Sequence, residues 1–220
     1  MSTCKMATGE ATSVPDRLSS LPPEIKGNIL SRLNIVEAVR TCTLSSTWRD
    51  AWTDMPKISL RDGKFTRTKF VTLVDTVLSL HKGTIEQFDI SGSESYHDEF
   101  PRWMLMLSSR STRSIIIEFN SRPRYRLPSC IFSISHLKSL HLENCTISLP
   151  RVFQGFSLKS LTDLSLKIFS STNMDIQNLI SFCPVLTNLI LNYFEGINRL
   201  NIQAPELLGT LKTLIWMPLI

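Results

Sequence analysis

The chain has 220 residues, 42% of them hydrophobic and 20% charged, with a formal net charge of +5. That is the balance of an ordinary globular protein of one or two domains, and the mild positive charge serves solubility as readily as attraction to acidic partners. No run approaches the roughly 18 apolar residues of a membrane span. The opening MSTCKMATGEATSV lacks the apolar stretch of a secretory signal, and five scattered cysteines suit a reducing compartment, cytoplasmic or nuclear, without a disulfide framework.

Residues 1–14 are polar and unpatterned and read as a disordered tail. In LPPEIKGNILSRL (21–33), Leu21, Ile25, Ile29 and Leu33 recur every four residues, which places them along one helical face. Pro22 and Pro23 stand at the entrance, where a missing N–H costs nothing, and Glu24 lies in the first turn, where the helix dipole favours an anion. NIVEAVRTCTL (34–44) predicts a second short helix, with Asn34 as cap and Glu37 three residues on. SSTWRDAW (45–52) predicts a third, capped by Ser45 or Ser46 with Trp48 and Trp52 on one face; the proline of MPK (55–57) stops it. So small a unit cannot bury Leu21, Ile25, Ile29, Leu33, Val36, Val39, Leu44, Trp48 and Trp52 by itself. Some of that surface must face another domain or another protein.

Further along, FTRTKFVTLVDTVLSLHKG (65–83) has Phe70, Leu73, Val74, Val77 and Leu78 at helical spacing and predicts a connecting helix, with Gly83 past its end. SGSESYHDEF (91–100) reads as a loop and RWMLMLSSR (102–110) as the helical side of a repeat. Three segments then follow the pattern L-x-x-L-x-L: LKSLHL (137–142), LTDLSL (161–166) and LTNLIL (186–191). Their starts are 24 and 25 residues apart, within the range of a leucine-rich repeat. Weaker copies carry Ile85, Phe88 and Ile90, then Ile115 and Ile117; a shortened one, INRLNI (197–202), follows. Cys145, Phe169 and Phe194 each come three residues after a last leucine, a position the repeat buries. Each repeat supplies a short strand whose leucines point into a core shared with its neighbours.

The residues flanking those leucines should stack outward in columns. Gln87, Ser114, Ser139, Asp163 and Asn188 form one; Asp89, Ile116, His141, Ser165 and Ile190 a second; Ser91, Glu118, Glu143, Lys167 and Asn192 a third. From these, Asp89, Glu118, His141, Glu143, Asp163 and Lys167 are candidate contacts for a bound protein. Four acids against one lysine favour a polar or basic segment.

DRLSSLPPEIKGNILSRLNIVEAVRTCTLSSTWRDAWTDMP resembles the F-box at the start of plant F-box proteins with leucine-rich repeats. Leu21-Pro22, Glu24-Ile25, Ile29-Leu30, Leu33, the EAVRT segment (37–41), Leu44-Ser45, Trp48-Arg49 and Trp52 carry the likeness. It implies an α/β chain: a small three-helix F-box (15–56), a connecting helical segment (57–84), then an irregular leucine-rich-repeat solenoid with short parallel strands (85–220). It also implies a substrate-recognition subunit of an SCF-type ubiquitin ligase. Leu21, Pro22, Ile25, Ile29, Leu33, Leu44 and Trp48 would then meet the Skp-type adaptor, and through it a cullin, while the repeats hold a target protein. The alternative is a leucine-rich-repeat scaffold without a ligase role. Relatives carry a proline where this chain has NIV and a basic pair where it has Ser46-Thr47, departures that imply weaker docking. Relatives also continue into further repeats and often an FBD domain. The apolar ending IWMPLI therefore reads as a stack incomplete at its C terminus, from a truncated or alternatively spliced product.

Enzyme chemistry finds little footing. His136, His141 and Cys145 match no standard zinc spacing, Cys145 and Cys183 fit core positions, and the eight glycines form no phosphate-cradling loop. Arg122, Arg124 and Arg126 beside Tyr125 could grip phosphate or RNA, but one basic loop at a repeat junction reads first as a solvated face. No catalytic residue, metal ligand or cofactor is assigned, and neither nucleic acid nor a membrane is expected as partner.

Overall fold

A computed structural model describes residues 17–41, 43, 45–150, 158–199 and 212–218. The expected tail (1–14), Leu44, residues 200–202 of the shortened repeat and the last two apolar residues lie outside the described residues. Helix α1 (Pro23–Leu30) begins on a proline, and α2 (Ile35–Thr41) begins where Asn34 Oδ1 accepts the Glu37 amide at 3.0 Å. The third helix expected over 45–52 is instead two tight 3₁₀ turns, Ser46–Trp48 and Ala51–Asp54. The Ser45 hydroxyl accepts the Thr47 amide and closes the first turn. Asp50, at φ −105° and ψ 2°, then leaves helical geometry and separates it from the second.

Strand β1 (Lys57–Arg61) and helix α3 (Arg67–Leu80) come next, so the segment expected to be helical from 57 also opens the sheet. Ile58 and Leu60 are its buried residues, alternating with half-buried or exposed neighbours as a strand requires. Then follow β2 (Gln87–Gly92), α4 (Phe100–Ser108), β3 (Ser114–Phe119), the two-residue β4 (Tyr125–Arg126) and β5 (Ser139–Glu143). The two-residue β6 (Cys145–Thr146), β7 (Asp163–Lys167), α5 (Asn173–Ser181), β8 (Asn188–Phe194) and β9 (Thr213–Pro218) complete the order.

The main sheet runs β1-β2-β3-β5-β7-β8-β9, every pairing parallel, while β4 pairs only β6. Its register aligns Gln87, Ser114, Ser139, Asp163 and Asn188 across five strands, and sets Glu118 opposite Glu143 and Glu143 opposite Lys167. The three columns expected from the spacing are the columns formed. One expectation fails: the strand beside β8 is Thr213–Pro218, while residues 197–199 of the shortened repeat are not in a strand. LKTLIW (211–216) has the L-x-x-L-x shape and starts 25 residues after LTNLIL, so it keeps the period that 197–202 breaks.

The inward-facing leucines and isoleucines of β1, β2, β3, β5, β7 and β8, with Cys145, Phe169 and Phe194, are buried in one continuous core. Phe70, Tyr96, Trp103, Phe119, Phe100 and Tyr125 pack within it as a chain of tilted and edge-on rings. Two polar pins hold the loops at the C-terminal ends of the strands. Buried Asp62 accepts hydrogen bonds from the Ser93 and Glu94 amides and the Tyr96 hydroxyl. Asn144 Nδ2 donates to the Phe119 and Ser121 carbonyls at 2.8 and 2.6 Å.

Candidate functional site

The N-terminal helices divide their apolar residues between two sides. Leu30, Ile35, Ala38, Trp52 and Met55 face inward and are buried, whereas Ile25, Ile29 and Leu33 remain 45%, 41% and 39% exposed. Pro22 is exposed and Leu21 half-buried beside them. Trp48 is half-buried against the core, with Lys26 Nζ 5.7 Å from its ring centre and bonded to the Ser19 and Thr47 carbonyls. Of the seven expected adaptor residues, Pro22, Ile25, Ile29 and Leu33 are exposed, Leu21 and Trp48 are half-buried, and Leu44 lies outside the described residues. Val39, expected only as apolar surplus, is also 38% exposed, and so is Leu18 at 59%. Lone apolar residues on a surface are ordinary; a run of them on one small unit marks a contact.

That unit is clamped to the repeats rather than tethered. A Cβ on Gly27 would meet the Asp54 carbonyl oxygen at 2.5 Å, and one on Gly83 would come within 3.0 Å of Asp54 Cα, so α1 and the loop after α3 both close tightly on the 51–54 turn. The Lys82 and Gly83 amides donate to the Thr53 carbonyl, and His81 Nε2 donates to the Met55 carbonyl at 2.9 Å. Arg110 in turn donates to the carbonyls of His81 and Leu78. Burial pushes the His81 imidazole below its ordinary value.

On the outer face of the sheet, Glu118, His141, Glu143 and Lys167 form one half-buried patch on β3, β5 and β7. His141 Nε2 lies 3.5 Å from Glu118, and Lys167 Nζ lies 3.7 Å from Glu143. Carboxylates set directly across neighbouring strands repel, and the Lys167 ammonium offsets that. Asp163 is held by Thr162 and Asn188 at the other end of β7, and Asp89 accepts from Ser59 on β1. The six expected target contacts therefore share a face, four of them in one patch. Donor atoms of Glu118, His141 and Glu143 all lie within 4.8 Å of one another, a set that could take a divalent cation, but Lys167 already supplies Glu143 with a counter-charge.

Burial pushes the Cys145 and Cys183 thiols up to about 12, which keeps both protonated and unreactive at neutral pH. Among the described residues no helix is long and apolar enough to cross a membrane.

Comparison with known proteins agrees with this architecture. Residues 18–60 match the F-box domain, and residues 100–217 match the family described as FBD-associated F-box protein At5g56370, LRR repeats. F-box/FBD/LRR-repeat protein At1g13570 of Arabidopsis thaliana is 34% identical over 204 residues, covering 88% of this chain and 48% of that protein. F-box/FBD/LRR-repeat protein At5g56420, also from Arabidopsis thaliana, is 33% identical over 205 residues, 89% of this chain and 48% of its own. F-box protein At5g03100 of the same plant is 30% identical over 206 residues, 92% of this chain and 65% of its own. The chain spans about half the length of the first two relatives. F-box/LRR proteins are typically adaptors rather than enzymes. An F-box at the N terminus, an apolar stripe left uncovered on it and a parallel stack behind it agree with both matches: the chain belongs to the FBD-associated F-box family with leucine-rich repeats.

Proposed function

We propose that this chain is the substrate-recognition subunit of an SCF-type ubiquitin ligase, working in the cytoplasm or nucleus. The F-box helices dock on a Skp-type adaptor and through it on a cullin, and the repeats hold the target protein. The observation that carries this reading is the stripe of Ile25, Ile29 and Leu33, exposed on a unit whose Leu30, Ile35, Ala38, Trp52 and Met55 are buried. The rate gain is one of proximity: the ligase brings the target to the transferring machinery and needs no catalytic residue on this chain. A pull-down with a plant Skp-type adaptor tests it. The chain should be retained, and the Leu21→Ala/Pro22→Ala double variant should be lost from the beads while its repeats stay folded, since anchors of this kind are worth about 2 kcal/mol or more each. Undiminished retention of the double variant would falsify the docking surface, and no retention of the parent chain would leave a repeat scaffold without a ligase role.

For the target, the acidic outer face of the sheet supports a polar or basic segment as occupant. Asp163→Lys combined with Glu143→Lys should lower target affinity by roughly tenfold or more by placing like charges together, with adaptor binding unchanged. A target that binds this variant normally is recognised elsewhere.

A further inference from the structure

The arginine cluster is absorbed by neither surface. Its setting is a cleft of about 480 Å³ lined by His97, Pro123, Arg124, Arg126 and Thr146, a volume in the range that small ligands occupy. His97 lies in the loop after β2, Pro123 and Arg124 in the loop after β3, and Arg126 and Thr146 on the short β4 and β6. These segments all sit at the C-terminal ends of parallel strands, where loops from separate repeats converge. The pins at Asp62 and Asn144 hold two of those loops, so the lining is built rather than incidental.

The charge of the cleft is unbalanced. Arg124 donates through both terminal nitrogens to Glu195, at 2.7 and 2.9 Å, which uses two of the five N–H donors a guanidinium carries. That fork, with Arg122 adding to it, holds the Glu195 carboxyl below its usual range. Arg126 is exposed, and among the described residues it makes no ion pair and no carboxylate lines the cleft. His97 Nε2 donates to the Pro123 carbonyl at 3.1 Å, which steadies that wall, and the Thr146 hydroxyl is shared with Ser170.

The ring of Tyr125 is buried within the aromatic core, so it offers no face for a base to stack on, and the nucleic-acid reading of this loop fails there. A single carboxylate would only replace the charge Glu195 already gives. A phosphate monoester brings close to two negative charges and three acceptor oxygens, which suits a free guanidinium beside a second one and a hydroxyl. We propose that this cleft binds a phosphomonoester group, with Arg126 as its principal cation and Arg124 and Thr146 as further donors. The group could arrive on a phosphorylated side chain or on a free small molecule. The site stands apart from adaptor docking, so its failure leaves the pull-down result untouched.

Isothermal titration of the full chain decides it, with phenyl phosphate as one probe and an end-capped, otherwise neutral phosphoserine peptide as the other. The unphosphorylated peptide and benzoate serve as controls. Saturable binding of a phosphorylated probe is expected, with none for the controls. Arg126→Ala should weaken it roughly tenfold or more, whereas Arg32→Ala, which removes an equal charge from the F-box, should leave it unchanged. Stronger binding of the peptide than of phenyl phosphate assigns the group to a protein target, and equal binding assigns it to a small ligand. Absence of saturable binding, or an equal loss in both variants with their thermal melts unchanged, overturns the proposal.

Discussion

The F-box and the repeat stack draw on the same apolar residue types and treat them in opposite ways. In the stack, the inward leucines of inner strands are covered by neighbours on both sides, so Leu140, Leu164 and Leu189 are nearly solvent-free. The F-box has no second copy of itself. It buries one side against the 51–54 turn and leaves Ile25, Ile29 and Leu33 in water. Repetition along the chain supplies its own partner surface; a single short unit must borrow one. The sharpest way to break this contrast is to cut equal volumes from each side. Leu166→Ala, at a fully buried strand position, should cost about 2–5 kcal/mol in a urea unfolding measurement, through lost burial and the cavity left behind. Ile29→Ala should change stability by no more than about 0.5 kcal/mol while weakening adaptor retention. If the two variants unfold alike, the stripe belongs to the protein's own core.

The two regions meet at His81, and its protonation should loosen that meeting. Buried at the end of α3, it gives its Nε2 proton to Met55, the last core residue of the F-box side. Burial lowers its folded-state value and Arg110 pushes the same way, outweighing the hydrogen bonds to the Met55 and Gly83 backbone and the nearby Asp54. The unfolded chain therefore takes up a proton before the folded one does. Stability from this group is fully present above the unfolded value of about 6.5 and is lost as pH falls below it toward the lower folded value. His81→Gln keeps a donor and removes the titration, so its melting temperature should depend less on pH between about 6.5 and 5 than that of the parent chain. Parallel curves for the two proteins would show that the junction does not sense pH through this residue.

Much of the stack was legible before any coordinate. β5, β7 and β8 announce themselves by three full L-x-x-L-x-L segments, and the fixed period sets the register of the outward columns without further information. β1 was not legible, because it offers only Ile58 and Leu60 in five residues between two helical stretches, too short a run to show a period. β9 is legible in LKTLIW, which keeps the period, whereas INRLNI resembles the repeat but comes too soon and breaks the spacing. In the F-box, the apolar stripe could be read, but which side stays uncovered could not, since that depends on Gly27 and Gly83 closing on Asp54 from two distant parts of the chain. The cleft shows the same limit. Its arginines form a visible cluster, yet Glu195 lies 71 residues from Arg124 and only stacking brings them together.

The smallest effect tests how far the stack dictates its own backbone. Near the ends of β5, β7 and β8 the chain turns through a left-handed residue each time: Asn144 at φ 61° and Ile168 at 50° directly after their strands, and Tyr193 at 55° at the bulge near the end of β8. The repeat geometry imposes this turn whatever side chain occupies it. Asn144 suits it, since asparagine tolerates that region and its amide also pins the preceding loop through Phe119 and Ser121. Ile168 does not, because a β-branched side chain crowds the backbone there. It stays because its amide completes the ladder to the Asn192 carbonyl at 2.9 Å and the neighbouring strands hold it in place. Ile168→Asn should relieve the strain at the loss of a half-buried apolar group, for a net gain of about 0.5–1 kcal/mol, or roughly 1–4 °C in melting temperature. The reverse exchange, Asn144→Ile, should destabilise by about 2 kcal/mol, since it adds strain and leaves two buried carbonyls without their donor. A gain at Asn144→Ile or a loss at Ile168→Asn would mean that each turn is set by its own side chain and not by the repeat.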